Sequence, residues 1–251
     1  MWQTVNTVMA RYVCLLVLWG GSCAPMAQEI NIRTIGFPPY GYREGSVAKG
    51  IYYDAANLLA EKAGFQAKNS VAPYSRIKAE LKNGKADLTI MFKYDELAEF
   101  VHYIAPMPSL QVVVIGLKGN DFPTLKSLKG KRLGYLRGAH FSDEIDNDPD
   151  IVIQKITGYL QGVRMLMASH VDAVIGPLDP ILHAATHLNS KLAIFGKPLV
   201  VSVRTPWVQV SKHSANRISQ DALKASFKAL QKKGVFKRLR QQYLLLPNEL
   251  D

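Results

Sequence analysis

Two stretches of this sequence decide its fold: Asn83–Ile90, which reads NGKADLTI, and Ala168–Ile175, which reads ASHVDAVI. In each, a helical segment with a polar or basic end stops, an aspartate follows at the turn, and an apolar run rich in β-branched residues begins. This order is typical of a helix that leads into a strand of a parallel sheet. The aspartates, Asp87 and Asp172, lie 85 positions apart. The repeat therefore predicts two similar α/β lobes with a cleft between them, a common place for small ligands to bind.

The first 27 residues are predicted to be a secretory signal peptide. Arg11 precedes a short apolar core at residues 13–19, small residues follow, and cleavage is expected after Ala27. This core is shorter than the roughly 20 apolar residues that a membrane span needs. A lipid anchor at Cys23 is the less favoured alternative, because the leucine expected before such a cysteine is missing.

Both cysteines, Cys14 and Cys23, precede the predicted cleavage site. The chain from Gln28 to Asp251 therefore offers no disulfide and no thiol chemistry. We expect it to be a soluble periplasmic protein, because no later segment is long and apolar enough to cross a bilayer.

The formal charge of +11 is concentrated towards the end of the chain. Between Lys212 and Arg240 there are nine lysines and arginines and one acid, Asp221. Apolar residues such as Leu223 and Phe227 recur at helical spacing among them. The pattern favours solvated basic faces on amphipathic helices over a phosphate-binding surface. No nucleic-acid partner is expected for an exported chain without a recognisable binding module.

Hydrophobic periodicity and turn residues predict alternating strands and helices. The predicted strands are Glu29–Ile35, Gln66–Val71, Leu88–Phe92, Val112–Leu117, one ending at Tyr135, Ala173–Ile175, Leu192–Phe195 and Trp207–Val210. The predicted helices are Asp54–Ala63, one capped by Ser75 and running to Asn83, one opened by Arg137–His140, Gly162–His170, and two that close the chain. Leu110–Leu117 and Leu199–Arg204 are expected to be hinge strands that cross between the lobes.

In this order, these features resemble the periplasmic solute-binding proteins of the amino-acid type, known as solute-binding family 3. The motifs that carry the resemblance are Phe37–Tyr40, Gly50–Asp54, Leu81–Asp87, Leu125–Gly134, Val171–Ile175, Ala229–Phe236 and Gln242–Leu244. The resemblance implies an α/β, two-lobed periplasmic-binding-protein fold, each lobe a doubly wound, mostly parallel sheet, with the ligand cleft between the lobes. Lobe 1 would comprise residues 28–112 and 203–251, and lobe 2 residues 113–202.

The resemblance also implies a function. Such proteins close their lobes on a small polar solute, here anionic or amino-acid-like, and deliver it to an ABC-type importer in the inner membrane. The protein is expected to act as a monomer and to need no cofactor. Two alternatives stay open: a sensory binding protein, and a secreted dehydratase-like enzyme on the same fold.

The sequence departs from the family pattern where a ligand would be held. Amino-acid binders of the family usually hold the ligand carboxylate with an arginine downstream of the first aspartate motif. Here no arginine lies between Arg76 and Arg132, and Lys93 is the cation near the strand end. Pro177 stands about where the acid for the ligand ammonium would fall, with Asp179 close by. Because both halves of the zwitterion clamp are missing or displaced, an α-amino acid held in the standard way is in doubt.

The loops after the strands of the first lobe supply candidate ligand contacts, because the crevice of an α/β lobe lies beyond the carboxyl ends of its strands. Phe37 and Tyr40 follow the first strand and would form an aromatic wall, although Phe37 could equally be a core residue. Tyr74 and Arg76 follow the second, and Arg76 could act as an anion clamp. An ion pair with Glu80, four residues on, is the alternative for Arg76.

Further candidates follow the third strand and open the second lobe. Phe92 ends the third strand, and Lys93 and Tyr94 follow it, where each could equally be a solvated loop residue. Arg137 and Gly138 resemble a glycine turn of the family whose backbone N–H groups receive a ligand carboxylate. His140 and Asp179 are weaker candidates, since a helix-capping or surface role for His140 and a turn role for Asp179 are favoured.

The sequence favours a binding protein over an enzyme. Asp95, Glu96 and His140 are the candidates for a general acid or base near the cleft, and none has a recognisable partner that would fix its role. The sequence contains no Ser-His-Asp order and no phosphate loop. No catalytic residue and no metal site are therefore predicted.

Overall fold

The computed structural model describes residues 27–244. The signal-peptide and lipid-anchor predictions, with both cysteines, fall outside the described residues, as does the segment after residue 244. Within the described residues no helix is both long and apolar enough to span a membrane.

Twelve strands and seven α-helices make up the described chain. The strands are β1 Gln28–Ile35, β2 Tyr42–Glu44, β3 Val47–Lys49, β4 Phe65–Ala72, β5 Leu88–Phe92, β6 Val101–Pro106, β7 Leu110–Ile115, β8 Arg132–Leu136, β9 Val152–Ile156, β10 Ala173–Pro177, β11 Leu199–Arg204 and β12 Pro206–Ser211. The helices are α1 Ile51–Lys62, α2 Tyr74–Lys82, α3 Asp143–Asp146, α4 Tyr159–Met167, α5 Leu178–His187, α6 Gln220–Lys232 and α7 Val235–Leu244.

The strands form two five-stranded sheets with matching layouts. The first has the order β4-β1-β5-β12-β6, in which β4, β1 and β5 are parallel and β12 is antiparallel to both of its neighbours. The second has the order β11-β7-β10-β8-β9, in which β10, β8 and β9 are parallel and β7 is antiparallel to both of its neighbours. Strands β2 and β3 form a separate hairpin. Two α/β lobes with mostly parallel sheets, as the repeat predicted, are confirmed.

The repeated aspartate has the same structural role in both lobes. Asp87, just before β5, accepts a hydrogen bond from the Asn31 backbone N–H at 2.7 Å, and its own N–H donates to the Asn31 carbonyl at 2.7 Å. Asp172, just before β10, accepts one from the Arg132 N–H at 2.7 Å and donates to the Arg132 carbonyl at 2.8 Å. Guanidinium groups complete both sites, from Arg217 at Asp87 and from Arg132 itself at Asp172. The motif therefore fixes the register between neighbouring parallel strands.

The chain passes between the sheets twice, from β6 to β7 and from β11 to β12. The two crossings lie side by side, and the hydroxyls of Ser109 and Thr205 are 2.7 Å apart. The predicted hinge segments continue from these crossings as β7 and β11, which pair with each other in the second sheet. Helices α6 and α7 return to pack against α1 of the first lobe.

Several local predictions were wrong. Helix α2 begins at Tyr74 after Pro73, so Ser75 is not its N-cap and makes no side-chain cap there. The segment predicted as a strand at Leu192–Phe195 is a short 3₁₀ turn, Leu192–Ile194, whose Ile194 carbonyl accepts the Lys118 N–H.

Other differences concern elements that begin elsewhere or were not predicted. The turn at Arg137–His140 does not open a helix, because the next one, α3, begins only at Asp143. Helix α1 begins at Ile51, three residues earlier than expected, where the Ile51 N–H donates to the Pro39 carbonyl at 2.9 Å. Strands β2, β3, β6 and β9 and helix α5 were not predicted.

Candidate functional site

A cleft of about 540 Å³ lies between the two lobes. The first lobe lines it with the end of β1, the end of β4 and the first turn of α2, at residues 35–37 and 71–75. The second lobe lines it with Leu136, Arg137 and Gly138 after β8 and with Thr157 after β9. Every one of these segments lies at the carboxyl end of a parallel strand, which is where α/β lobes place their ligands.

Aromatic rings close the inner end of the cleft and bring the lobes together. Phe37 of the first lobe contacts Tyr159 of the second edge to face, with ring centroids 5.7 Å apart. Phe37 also contacts Tyr40 edge to face at 5.8 Å, and Tyr40 stacks on Tyr52 at 4.4 Å. These rings are buried. Phe37 lines the cleft and Tyr40 does not, so the aromatic wall that was expected to contact a ligand stays a prediction.

Three buried tyrosine hydroxyls have no hydrogen-bond partner among the described residues. Tyr74 lines the cleft, whereas Tyr94 and Tyr159 lie behind it, against Tyr74 and Phe37 respectively. Tyr74 and Tyr94 contact each other edge to face at 5.2 Å. Burial raises the pKa of Tyr94 to about 12 and the pKa of Tyr74 and Tyr159 well above 10. The three side chains, which we call the tyrosine cluster, are therefore neutral phenols at neutral pH, with hydrogen-bonding capacity left over.

Arg204, the last residue of β11, bridges the two lobes next to this cluster. Its guanidinium donates to the His140 carbonyl of the second lobe, and to the Lys93 carbonyl of the first at 3.3 Å. It lies 4.9 Å from the ring centre of Phe92 and 5.7 Å from that of Tyr94. No acidic side chain in the described part of the chain pairs with it. Arg204 was not among the predicted site residues.

Asp179, at the start of α5, is buried and engaged by residues of the first lobe. The Arg240 guanidinium of α7 holds both of its oxygens, at 2.9 and 3.1 Å. The Tyr40 hydroxyl donates to the same carboxylate at 3.2 Å. This arrangement, which we call the interlobe ion pair, ties the second lobe to the C-terminal helix, and Tyr40 lies within it rather than along the cleft.

The other predicted cations take different environments. The Arg76 Nε lies 2.7 Å from Glu80, which is the alternative that the i, i+4 spacing offered. The Lys93 ammonium lies over the rings of Trp207 and Tyr103, at 3.8 and 4.4 Å from their centres. Of these three predicted cations, Arg137 is the one that lines the cleft, and its side chain is exposed.

His140 and Gly138 belong to the turn after β8. Gly138 has φ +76°, a left-handed conformation that favours glycine, and it lines the cleft. The His140 ring contacts the carboxylates of Asp143, at 2.9 Å, and of Asp146. Its side chain is thus directed at α3, while its backbone carbonyl accepts a hydrogen bond from the Arg204 guanidinium.

The structure brings Phe37, Tyr74, Arg137 and Gly138 together around the cleft, with Phe92 just behind them. Lys93, Arg76, His140 and Asp179 have other partners, as described above. The residues missed here are Tyr159, Arg204 and Arg240. Tyr159 follows β9 as Tyr74 follows β4, but β9 itself was not predicted, so the sequence did not point to this position.

Residues 31–245 match the sequence profile of the bacterial extracellular solute-binding proteins, family 3. The chain belongs to this family. Family 3 members are binding proteins, and the two-lobed fold and interlobe cleft described above are what this membership leads one to expect. The family resemblance predicted from the motifs is confirmed.

Among curated proteins, this family 3 chain is similar to the arginine-binding extracellular protein ArtP of Bacillus subtilis (strain 168), with 26% identity over 105 residues. That match spans 41% of this chain and 41% of the relative.

Solved structures with the same fold include binding proteins and a sensor. An ancestral arginine-binding protein bound to arginine has a TM-score of 0.73 at 21% identity, covering 87% of this chain and 99% of that one. A histidine kinase sensor domain with similarity to periplasmic binding proteins has a TM-score of 0.74 at 15% identity, covering 87% and 97%. At these identities the likeness concerns the fold alone.

Proposed function

We propose that this protein captures a small polar solute, anionic or amino-acid-like, by closing its two lobes on it, and that it presents the closed complex to an ABC-type importer. The observation that carries the proposal is the cleft itself. It is lined from both lobes at the carboxyl ends of parallel strands, and the chain crosses between the lobes at two adjacent points that can act as a hinge. Family membership supports the same function.

The cellular setting follows from the same proposal. The predicted signal peptide and the extracellular character of the family support a periplasmic protein, with residues 28–112 and 203–251 as lobe 1 and residues 113–202 as lobe 2. We propose a monomer, because one chain supplies both walls of the cleft. The inner-membrane partner would be a permease complex, and no nucleic acid is involved.

A thermal-shift screen tests the binding step. Protein produced from the full chain is tested against amino acids, dicarboxylates, polyamines, aromatic acids and short peptides. A solute at a hundred times its dissociation constant adds about 2.7 kcal/mol to the unfolding free energy. For a chain of this size, the melting temperature then rises by roughly 5–10 °C. If no compound in these classes raises it, the binding proposal fails.

Two further measurements separate transport from its alternatives. Cells that lack this protein should take up the radiolabelled hit more slowly, whereas unchanged uptake would favour a sensory role. The hit should also be recovered unchanged by NMR after prolonged incubation with the protein. Conversion of the hit would indicate a dehydratase-like enzyme instead.

A further inference from the structure

The linings of the cleft and of the cavity behind it contain a positively charged side chain, Arg137, but no negatively charged one. No aspartate or glutamate lines the cleft, and none lines the small apolar cavity behind it, which is bounded by residues such as Phe37, Tyr52 and Phe92. An ammonium group brought into this space would lose its water without gaining a carboxylate partner in the cavity lining. Burying a charge without a partner is strongly unfavourable.

The acids closest to the aromatic residues are already paired. The Asp179 carboxylate is held by Arg240 and Tyr40, as described above. Glu96, which faces Tyr94, lies 2.6 Å from the Lys78 ammonium. An amine that used either carboxylate would first have to displace a positively charged side chain.

Asp146 is a third acid close to the tyrosines. It faces Tyr135, and its carboxylate contacts the His140 ring. It belongs to α3, outside both cavity linings. None of these three acids, Asp179, Glu96 and Asp146, is therefore available to an ammonium without rearrangement.

The cations of the site, by contrast, have no acid to neutralise them. Arg137 lines the mouth of the cleft and makes no ion pair in the described part of the chain. The Arg204 guanidinium donates to two backbone carbonyls. It has five N–H donors, so the remaining ones can bind a ligand. A half-buried guanidinium whose charge is not balanced by the protein is a favourable partner for a ligand carboxylate.

The tyrosine cluster adds neutral donors beside Arg204. Tyr74 and Tyr159 are each less than 10% exposed, and their hydroxyls have no partner among the described residues. Tyr94 is similarly buried and lies against both Tyr74 and Arg204. Even if Tyr74 and Tyr94 shared one hydrogen bond, a hydroxyl proton and the Tyr159 hydroxyl would remain free for a ligand. Phenol hydroxyls complement a carboxylate without requiring an opposite charge on the ligand.

We propose that the ligand is a small organic acid without an amino group, held at its carboxylate by Arg204 and the tyrosine cluster, with Arg137 at the mouth of the cleft. This inference rests on the proposed function and names the class of solute. It separates this chain from the arginine-binding proteins to which it is similar, because arginine carries both an ammonium and a guanidinium.

Matched pairs of solutes test the inference by isothermal titration calorimetry on protein produced from the full chain. Each pair has one carbon skeleton with and without the α-amino group: phenylalanine and 3-phenylpropionate, leucine and 4-methylpentanoate, glutamate and glutarate. Arginine is added as a single cationic probe. We expect at least one amine-free acid to bind, at least tenfold more tightly than its amino-acid partner.

Two variants test the assigned residues, and a third serves as a control. Arg204→Gln should weaken binding of the acid by about tenfold to a hundredfold, because it removes a charge-assisted hydrogen bond. Tyr159→Phe, which deletes only the hydroxyl, should weaken it by about twofold to tenfold. Arg164→Gln is the matched control, since Arg164 is an exposed arginine of α4 that, unlike Arg204, makes no contact with Phe92 or Tyr94, and it should leave the affinity unchanged.

The outcomes distinguish failure of the proposed ligand class from failure of the proposed binding function. If an amino acid binds as tightly as its amine-free partner or more tightly, the inference is overturned and the binding function stands. If no solute of either kind binds here or in the thermal-shift screen, the binding function itself fails. If an amine-free acid binds but Arg204→Gln behaves like the Arg164→Gln control, the assignment of Arg204 is overturned. A circular dichroism spectrum of each variant shows whether a lost affinity reflects lost folding.

Discussion

Glu80 is the centre of a small ion network in the first lobe. Its carboxylate lies 2.6 Å from the Arg33 Nε and 2.7 Å from the Arg76 Nε, and its side chain is 10% exposed. Burial by itself raises the pKa of Glu80, but the hydrogen bonds and charges of Arg76 and Arg33 outweigh it and hold the pKa below its ordinary value of 4.5. The carboxylate therefore stabilises the folded state in its charged form.

The first prediction follows from this lowered pKa. Glu80→Gln should reduce the free energy of unfolding at pH 7 by about 1–3 kcal/mol, because Arg33 loses its charged partner in a nearly buried site. A group with a lowered folded-state pKa stabilises fully above its unfolded value, and this contribution is lost as the pH falls through the folded value. The difference between wild type and variant should therefore shrink below about pH 4.5.

Urea unfolding between pH 7 and pH 3 measures this difference. Glu61→Gln, at an exposed position of α1, is the control and should change little. A wild-type advantage that stays constant down to pH 3 would contradict the ion-network explanation.

At the residue scale, sequence reasoning found the cleft lining wherever a side chain directly follows a parallel strand. Phe37, Tyr74, Arg137 and Gly138 were predicted on that ground, and their role in binding stays a prediction. Arg204 was missed because its position depends on how the crossing strand passes the two lobes. A contact of this kind, 64 residues away at His140, leaves no mark in a local pattern.

Strand β10 and helix α4 are in close contact at Gly176 and Tyr159. Gly176 of β10 is covered by the Tyr159 ring at the start of α4, and a Cβ built on Gly176 would overlap the tyrosine hydroxyl and ring. The buried tyrosine cannot move aside into solvent. The helix start and the strand end are thus fitted to one another across the lobe.

The second prediction tests this fit. Gly176→Ala should lower the free energy of unfolding by about 1–3 kcal/mol, the usual cost of overpacking a core. In a Tyr159→Leu background the same alanine should cost less, because the overlapping ring is gone. Chemical denaturation of the single and double variants gives the coupling energy.

A second strand glycine provides the control. A Cβ at Gly134 of β8 would meet ordinary van der Waals neighbours at 3.4–3.7 Å, so Gly134→Ala should be milder than Gly176→Ala. Additive effects of Gly176→Ala and Tyr159→Leu would show that the two positions are not coupled.

Elements were predicted best where a single physical rule decides them. Strand β5 was predicted with its observed limits, Leu88–Phe92, because all five residues are apolar or buried between neighbours. The 3₁₀ turn at Leu192–Ile194 was mistaken for a strand because a short apolar run fits both structures. The beginning of α2 was misplaced because Ser75 looks like a cap, whereas Pro73 already sets the first turn.

At the scale of the whole molecule, the interlobe ion pair is one of the contacts that join the two lobes. Asp179 belongs to the second lobe, and Arg240 and Tyr40 belong to elements packed on the first. Opening the cleft would separate these groups. The pair thus links the position of α7 to the relative position of the two lobes.

The third prediction concerns this link. Asp179→Asn should weaken the closed arrangement by about 1–3 kcal/mol, because Arg240 loses a charge-assisted hydrogen-bond partner. Small-angle scattering of the unliganded protein should then give a larger radius of gyration than for wild type. Asp221→Asn, which removes an almost fully exposed carboxylate, is the control. An unchanged radius for Asp179→Asn would show that the ion pair does not hold the lobes together.

At this largest scale, the repeated aspartate motif was enough to predict two lobes, because it marks the same strand junction in each. It did not predict how the lobes touch. The contacts of Phe37 with Tyr159 and of Asp179 with Arg240 join residues more than 60 positions apart, and they depend on the hinge geometry rather than on any local rule.

The path of the chain through the two sheets also sets an order of assembly during synthesis. Strand β12, which lies between β5 and β6, follows the whole second lobe in the sequence. While the polypeptide is being made, the first sheet therefore waits as two unjoined parts, whereas the second sheet is complete once Arg204 has emerged. The second sheet can thus be completed first, and the edges of β5 and β6 that face β12 stay unpaired until this strand has been made.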